Sequence, residues 1–160
     1  MNAVYFSFTV PGTPVAKARP RVYKGHAITP PKTEAAEKRV KLTIRDKKQE
    51  KRLPLAEPVF GKNIPLNVYV SLYFRPPLRT SKKRKEQMIR GEIRPAVRPD
   101  ADNLAKLVLD AMNGSVYFDD GQIVSLYVRK FYDEEPRTVV GVTGFLNTDT
   151  ERRTKDDDIG

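Results

Sequence analysis

The sequence predicts a single α+β domain, a mixed or antiparallel β-sheet with helices packed on it. Three observations carry that prediction. Four stretches alternate apolar and polar residues at the period of a strand. Two stretches repeat apolar residues at the period of a helix. No internal repeat breaks the 160 residues into smaller units, a length that suits one ordinary core.

Taken in order, Val4, Phe6, Phe8 and Val10 alternate with Tyr5, Ser7 and Thr9, and Pro11-Gly12-Thr13-Pro14 ends that strand. Lys17-Ala18-Arg19-Pro20-Arg21 is a basic loop stiffened by proline, followed by a strand-like turn over Tyr23 to Ile28. Thr33 reads as a helix cap with Glu34 and Glu37 in the first turn. Ala36, Val40 and Ile44 mark the apolar stripe of that helix, which fades into the charged run Arg45 to Arg52. Leu66 to Phe74 is the clearest strand and reads as a central one, stopped by Pro76-Pro77. Ser81 to Arg90 reads as a short helix closed by Gly91. Leu104, Leu107, Val108, Ala111 and Met112 then form a second apolar stripe. A short strand-like run over Val116 to Phe118, a tight turn at Gly121, and strands over Ile123 to Tyr132 and Val139 to Leu146 complete the domain. The first of these two strands places Val124, Leu126 and Val128 on one face. The domain spans residues 1–146, and residues 147–160 read as a disordered polar tail.

The formal net charge is +10 and the pI about 9.8, so the expected partner is a polyanion, with nucleic acid ahead of an anionic membrane surface. Much of the charge is clustered: Arg75 to Arg98 holds 9 basic residues against 2 acidic ones. There is no cysteine and one histidine, His26. That excludes thiolate chemistry and leaves little for a zinc site, so any metal is a hard cation held by carboxylates, magnesium or manganese. No secretory leader or apolar run near membrane-spanning length is visible, and the sequence reads as cytoplasmic.

Against this basic background stands an acidic stretch. Asp100 and Asp102 precede the second apolar stripe, Lys106 and Asp110 follow at successive turns, and Asp119-Asp120 ends the short run beyond it. Neighbouring carboxylates repel unless a cation lies between them. Phosphodiester hydrolysis needs such a cation to stabilise charge on attacking, equatorial and leaving oxygens. A lysine one turn into the helix is placed to neutralise the transferring phosphate or the leaving group. Each residue taken alone also has a plainer reading. Either first aspartate reads as an N-cap, Asp119-Asp120-Gly121 as turn chemistry, and Lys106 as an ordinary i,i+4 ion pair. An EF-hand reading fails because Leu104 stands where an oxygen ligand is required.

The spacing is more specific than any one residue. Pro99-Asp100-Ala101-Asp102-Asn103-Leu104-Ala105-Lys106, then Asp110-Ala111, then Val116-Tyr117-Phe118-Asp119-Asp120-Gly121-Gln122-Ile123 resembles the RusA family of Holliday junction resolvases, whose pattern is D-x-D-N-x-x-K, then D-A, then D-D-x-Q-[VI]. Pro11 to Arg21 resembles the Gly-x-Pro-x-x-Lys-x-Arg-Pro-Arg opening of its Gram-positive and phage branch. Ala101 departs from the commoner leucine, and the Arg75 to Arg98 connection is longer and more basic than in the shortest members. The resemblance implies a RusA-like, homodimeric, Mg²⁺-dependent endodeoxyribonuclease, with Mn²⁺ as a possible substitute, that resolves four-way junctions by symmetric paired nicks. It implies no nucleotide cofactor and no membrane partner.

Carried over residue by residue, Asp100, Asp102 and Asp120 take the metal-binding catalytic positions and Lys106 that of the catalytic lysine. Asp119 and Asn103 are supporting candidates. Lys17, Arg19, Arg21, Arg79, Lys82, Lys83, Arg84, Lys85 and Arg98 are the expected DNA contacts. Phe6, Tyr69 and Tyr73 are candidates for a dimer interface, since a two-fold substrate suits a two-fold enzyme. The alternatives are a non-catalytic module that binds structured DNA, and a metal nuclease acting on other branched or single-stranded nucleic acid.

Overall fold

A computed structural model of the chain describes residues 3–145. The proposed tail at 147–160, and Leu146, lie outside the described residues. The order is β1 (Ala3–Pro11), β2 (Arg21–Tyr23), β3 (His26–Ile28), α1 (Pro31–Glu50), β4 (Leu66–Phe74), α2 (Lys82–Ile89), α3 (Ala101–Met112), β5 (Ile123–Tyr132) and β6 (Arg137–Phe145). The main sheet runs β1-β6-β4-β5. β6 is antiparallel to both β1 and β4, whereas β4 and β5 are parallel. The expected α+β domain with a mixed sheet is what forms.

Parallel pairing of β4 and β5 requires a crossover, and α2 and α3 lie in that connection. One sheet face is dry. Phe6, Phe8 and Val10 of β1, Val68, Val70 and Leu72 of β4, and Val140 and Val142 of β6 are buried with Val40 and Ile44 of α1 and Leu104, Leu107, Val108 and Met112 of α3. Phe6 therefore belongs to the core and not to an interface. Tyr69 and Tyr73 point from the opposite face, stacked on Tyr127 (5.1 Å) and Phe131 (5.4 Å) of β5.

Several local expectations change. α1 opens at Pro31 with Pro30 as N-cap, and Thr33 lies buried inside its first turn. Proline suits this position because the first helical N–H has no partner to lose. The Thr33 hydroxyl instead accepts from the Ala18 N–H at 3.3 Å. The charged end of α1 stays helical to Glu50, and within it Lys48 is buried, donating to the Glu57 carbonyl at 2.7 Å. Burial holds the Lys48 pKa below its ordinary value. Val116 to Phe118 makes one bridge, Asn113 with Tyr117, and no strand. Of Val124, Leu126 and Val128, expected on one face, Val128 packs against the core, while Val124 and Leu126 are 66% and 44% exposed. β5 is an edge strand of the sheet formed by the described residues, and its register shifts between Ile123 and Ser125.

Candidate active site

Every acidic candidate is arranged around α3. Its inner face is buried and its outer face carries Asp102 and Lys106. Asp100 is the N-cap residue by backbone position, yet its side chain makes no capping hydrogen bond. Its carboxylate is exposed, as is that of Asp102 in the first turn. The dipole of α3 favours anions there. Among the described residues Asp100, Asp102 and Lys106 form no salt bridge. Neither the capping reading of Asp100 nor the i,i+4 ion-pair reading of Lys106 is realised. Three charges without an ion-pair partner among the described residues thus stand along the N-terminal half of α3 in a chain of net charge +10.

Asp119 and Asp120 are held by different means. A single 3-10 turn, Asp120–Gln122, leads directly into β5. The Gln122 side chain organises it: Oε1 accepts from the N–H groups of Phe118 (2.9 Å) and Asp119 (3.2 Å), and Nε2 donates to the carbonyls of Gly61 (2.9 Å) and Ile64 (3.1 Å). The reach back to Asp119 is that of a capping box. The Asp119 carboxylate folds over the turn, where its Oδ2 is 2.9 Å from the place a Cβ on residue 121 would take. A Cβ at 121 would oblige that carboxylate to shift.

α3 separates the two acidic groups. Tyr117 donates its hydroxyl to the Leu109 carbonyl in the last turns of the helix (2.5 Å), and burial first, then the charges of Asp120, Asp110 and Asp119, raise its pKa. Asp120 therefore lies toward the C-terminal end of α3. At the other end, the Pro99 carbonyl beside Asp100 accepts from Lys130 Nζ (2.7 Å), seven residues along β5 from Ile123. At 1.5 Å per residue, Asp102 and Asp110 are about 12 Å apart along the axis. Among the described residues no three acidic or histidine side chains stand close enough to hold one ion. Asp100 and Asp102 offer the hard oxygen donors that magnesium or manganese prefers, but one chain does not bring Asp120 to them.

The expected DNA contacts divide in the same way. Lys17 faces inward: its ammonium pairs with Glu37 and, at 3.2 Å, with Asp110, while its backbone N–H donates to the Asn103 carbonyl at 2.9 Å. Burial opposes its charge, and the hydrogen bonds to the two carboxylates outweigh that, leaving its pKa raised. The loop is thus strapped across α1 and α3. Arg19 and Arg21 are exposed and share a groove with Lys32 and Pro99, adjoining Asp100. Ser81 caps α2, accepting from the Arg84 N–H at 3.3 Å. Lys82, Lys83 and Arg84 are exposed, as are Arg79 and Arg98, while Lys85 pairs with Glu134 at 2.8 Å. Lys32 escaped sequence reasoning because only the fold brings it to the strap. The same holds for Lys62, which lies 5.2 Å over the ring of Phe118 in a groove beside Asp119.

Residues 11–143 match the family profile described as endodeoxyribonuclease RusA. The chain belongs to the RusA family. It is thus a nuclease of the junction-resolving class. It is 39% identical over 139 residues to YqaN of Bacillus subtilis (strain 168), covering 83% of this chain and 92% of that protein. It is also 34% identical over 85 residues to a crossover junction endodeoxyribonuclease rusA of Lactococcus phage r1t, covering 52% of this chain and 58% of that one. The RusA match spans nearly every element of the fold, from the end of β1 to the body of β6. No helix among the described residues is long and apolar enough to cross a membrane.

Proposed function

We propose that this RusA-family chain is a Mg²⁺-dependent, homodimeric endodeoxyribonuclease that cuts four-way DNA junctions by symmetric paired nicks, with Mn²⁺ able to replace Mg²⁺. Asp100, Asp102 and Asp120 are the metal-binding carboxylates and Lys106 the catalytic lysine, with Asn103 and Asp119 in support. The observation that supports this best is the free pair Asp100 and Asp102 beside free Lys106 on a strongly basic surface. A protein that only bound DNA would gain nothing from unpaired acids next to phosphates. A divalent ion, when bound, supplies positive charge to the phosphate oxygens and a more acidic water. Lys106 offsets charge on the phosphate or the leaving oxygen. Arg19, Arg21, Arg79, Lys82, Lys83, Arg84 and Arg98 hold the arms through their phosphates, a sequence-independent contact.

The test is a labelled synthetic four-way junction beside a matched linear duplex, with and without Mg²⁺, for the wild type and Asp102→Asn. Paired, Mg²⁺-dependent nicks in the junction alone, absent in the variant, are expected. Junction binding without cutting under any divalent ion would leave a binding module, and equal cutting by Asp102→Asn would remove the carboxylate assignment.

A further inference from the structure

The sheet has a second face that the carboxylates do not use. α1 and α3 pack on one face, where Phe6, Val70 and Val140 are buried. Alternate residues point the other way. These are the odd-numbered residues from Tyr5 to Pro11 on β1, Arg137 to Thr143 on β6, Asn67 to Tyr73 on β4 and Ser125 to Phe131 on β5, and they lie side by side in register. None of them is acidic. Tyr5, Tyr69 and Tyr127 are 65%, 40% and 54% exposed, so no element among the described residues covers them. The segment that carries Arg94 reaches this face at the Phe131 ring. The rings form a row across the strands. A Cβ on Gly141 would lie 3.2 Å from the Tyr5 hydroxyl and 3.3 Å from its Cε2, so glycine there lets the Tyr5 ring lie across β6. Tyr69 and Tyr127 follow on β4 and β5, stacked 5.1 Å apart with their planes 6° from parallel. Arg129, beyond Tyr127 on the same face, is exposed and forms no salt bridge among the described residues.

We propose that this uncovered face binds an unpaired DNA strand, whose bases stack on Tyr5, Tyr69 and Tyr127 and whose phosphates meet Arg129. The inference goes beyond junction cutting and does not depend on the carboxylate roles given above. Every base has a π-face, so a row of exposed rings accepts a strand whatever its sequence. A duplex hides those faces inside its own stack, and the rings therefore select unpaired strands. Serine, threonine and asparagine fill most of the remaining outward positions and can donate to phosphate or base edges. A face with arginine and no carboxylate complements a polyanion. The acidic candidates lie around α3 on the far side of the sheet, so a strand held here does not compete with a duplex arm held there.

The test measures binding by fluorescence anisotropy with a labelled oligothymidine of about 12 nucleotides and with a labelled four-way junction, both without divalent ions. Tyr5→Ala and Tyr127→Ala are each expected to weaken strand binding about tenfold. Tyr127→Phe should retain it, because the ring and not the hydroxyl carries the contact. Arg129→Ala should reduce the slope of log K against log salt for the strand by about 0.7, one phosphate contact. Junction binding should be unchanged in all four variants. Unchanged strand affinity in both alanine variants overturns the inference. So does a parallel loss of strand and junction binding in a variant whose urea midpoint is that of the wild type, since one surface would then serve both.

A second readout uses the unaltered chain and is indifferent to how the variants fold. An oligothymidine carrying 5-iodouracil is irradiated in complex with the protein, and the attached residues are located by mass spectrometry. Adducts at Tyr5, Tyr69 or Tyr127 are expected. Adducts confined to other residues, Tyr23 of the β2–β3 hairpin included, or none at all, overturn the inference. Sedimentation of Tyr127→Ala separates the remaining occupant of such a face, a second copy of the chain. Weaker self-association with unchanged strand binding gives the face to that copy and overturns the inference as well.

Discussion

Tyr117 hydrogen-bonds through its hydroxyl to the Leu109 carbonyl at 2.5 Å, closing one of the last carbonyls of α3 that no helical N–H can reach. The ring is fully buried, and Asp110, Asp119 and Asp120 surround the hydroxyl electrostatically. Tyr117→Phe is expected to cost about 1 kcal/mol in chemical denaturation, since it removes a hydrogen bond and leaves a carbonyl without a partner. The pH dependence has a definite sign. The folded pKa lies above the ordinary value of 10.0. Below that value both states keep the proton, and above it the unfolded chain releases it first. The stabilisation is full below pH 10 and is lost as pH rises toward the folded value. Denaturation midpoints of the wild type should fall over this range more steeply than those of Tyr117→Phe.

Gln122 ties the Asp119–Asp120 turn to the 61–64 loop with four hydrogen bonds. Gln122→Glu keeps the size and the acceptor but turns two donors into a charged oxygen facing the Gly61 and Ile64 carbonyls. A loss of about 2–3 kcal/mol is expected, visible as a lower urea midpoint with unchanged slope. Nicking should fall as well, because the turn that carries Asp120 is no longer pinned.

Lys17 and Arg19 are two residues apart, yet they should behave differently. Lys17 is held by Glu37 and Asp110, while Arg19 and Arg21 are exposed. Lys17→Met should lower stability and leave the salt dependence of junction binding unchanged. Arg19→Ala and Arg21→Ala should each reduce the slope of log K against log salt by about 0.9, one phosphate contact apiece. Binding titrations at several salt concentrations separate the two cases.

Gly144 is fixed by packing rather than by an unusual backbone angle. A Cβ there would meet Leu66 Cδ2 at 2.8 Å, Ile64 Cγ2 at 3.2 Å and the Pro65 carbonyl oxygen at 3.3 Å. Two neighbours can rotate, but the third is backbone. Gly144→Ala is expected to cost about 1–3 kcal/mol as an overpacked core position, measured as a lower midpoint in thermal or urea unfolding. Gly91, with no atom near its missing Cβ but a φ of +80°, should by contrast tolerate Asn better than Ala.

The sequence by itself determined the elements and the family. Alternation fixed β1, β4, β5 and β6 to within a few residues because a strand's side chains repeat every second position whatever it pairs with. The 3.6 period fixed α3 in the same local way. The spacing from Asp100 to Gln122 was enough to indicate a RusA-like chain. The tertiary structure decided everything that depends on which strand lies beside which. Leu126 alternates like a core residue but belongs to an edge, because β4 lies inside the sheet and β5 has no outer neighbour among the described residues. Lys17 lies in a basic run but is spent on Glu37 and Asp110, which chain distance hides. Asp100 and Asp120 belong to one motif, yet the parallel crossover sets them toward opposite ends of α3. Periodicity is a property of neighbours along the chain, whereas burial, ion pairing and the meeting of carboxylates are properties of neighbours in space.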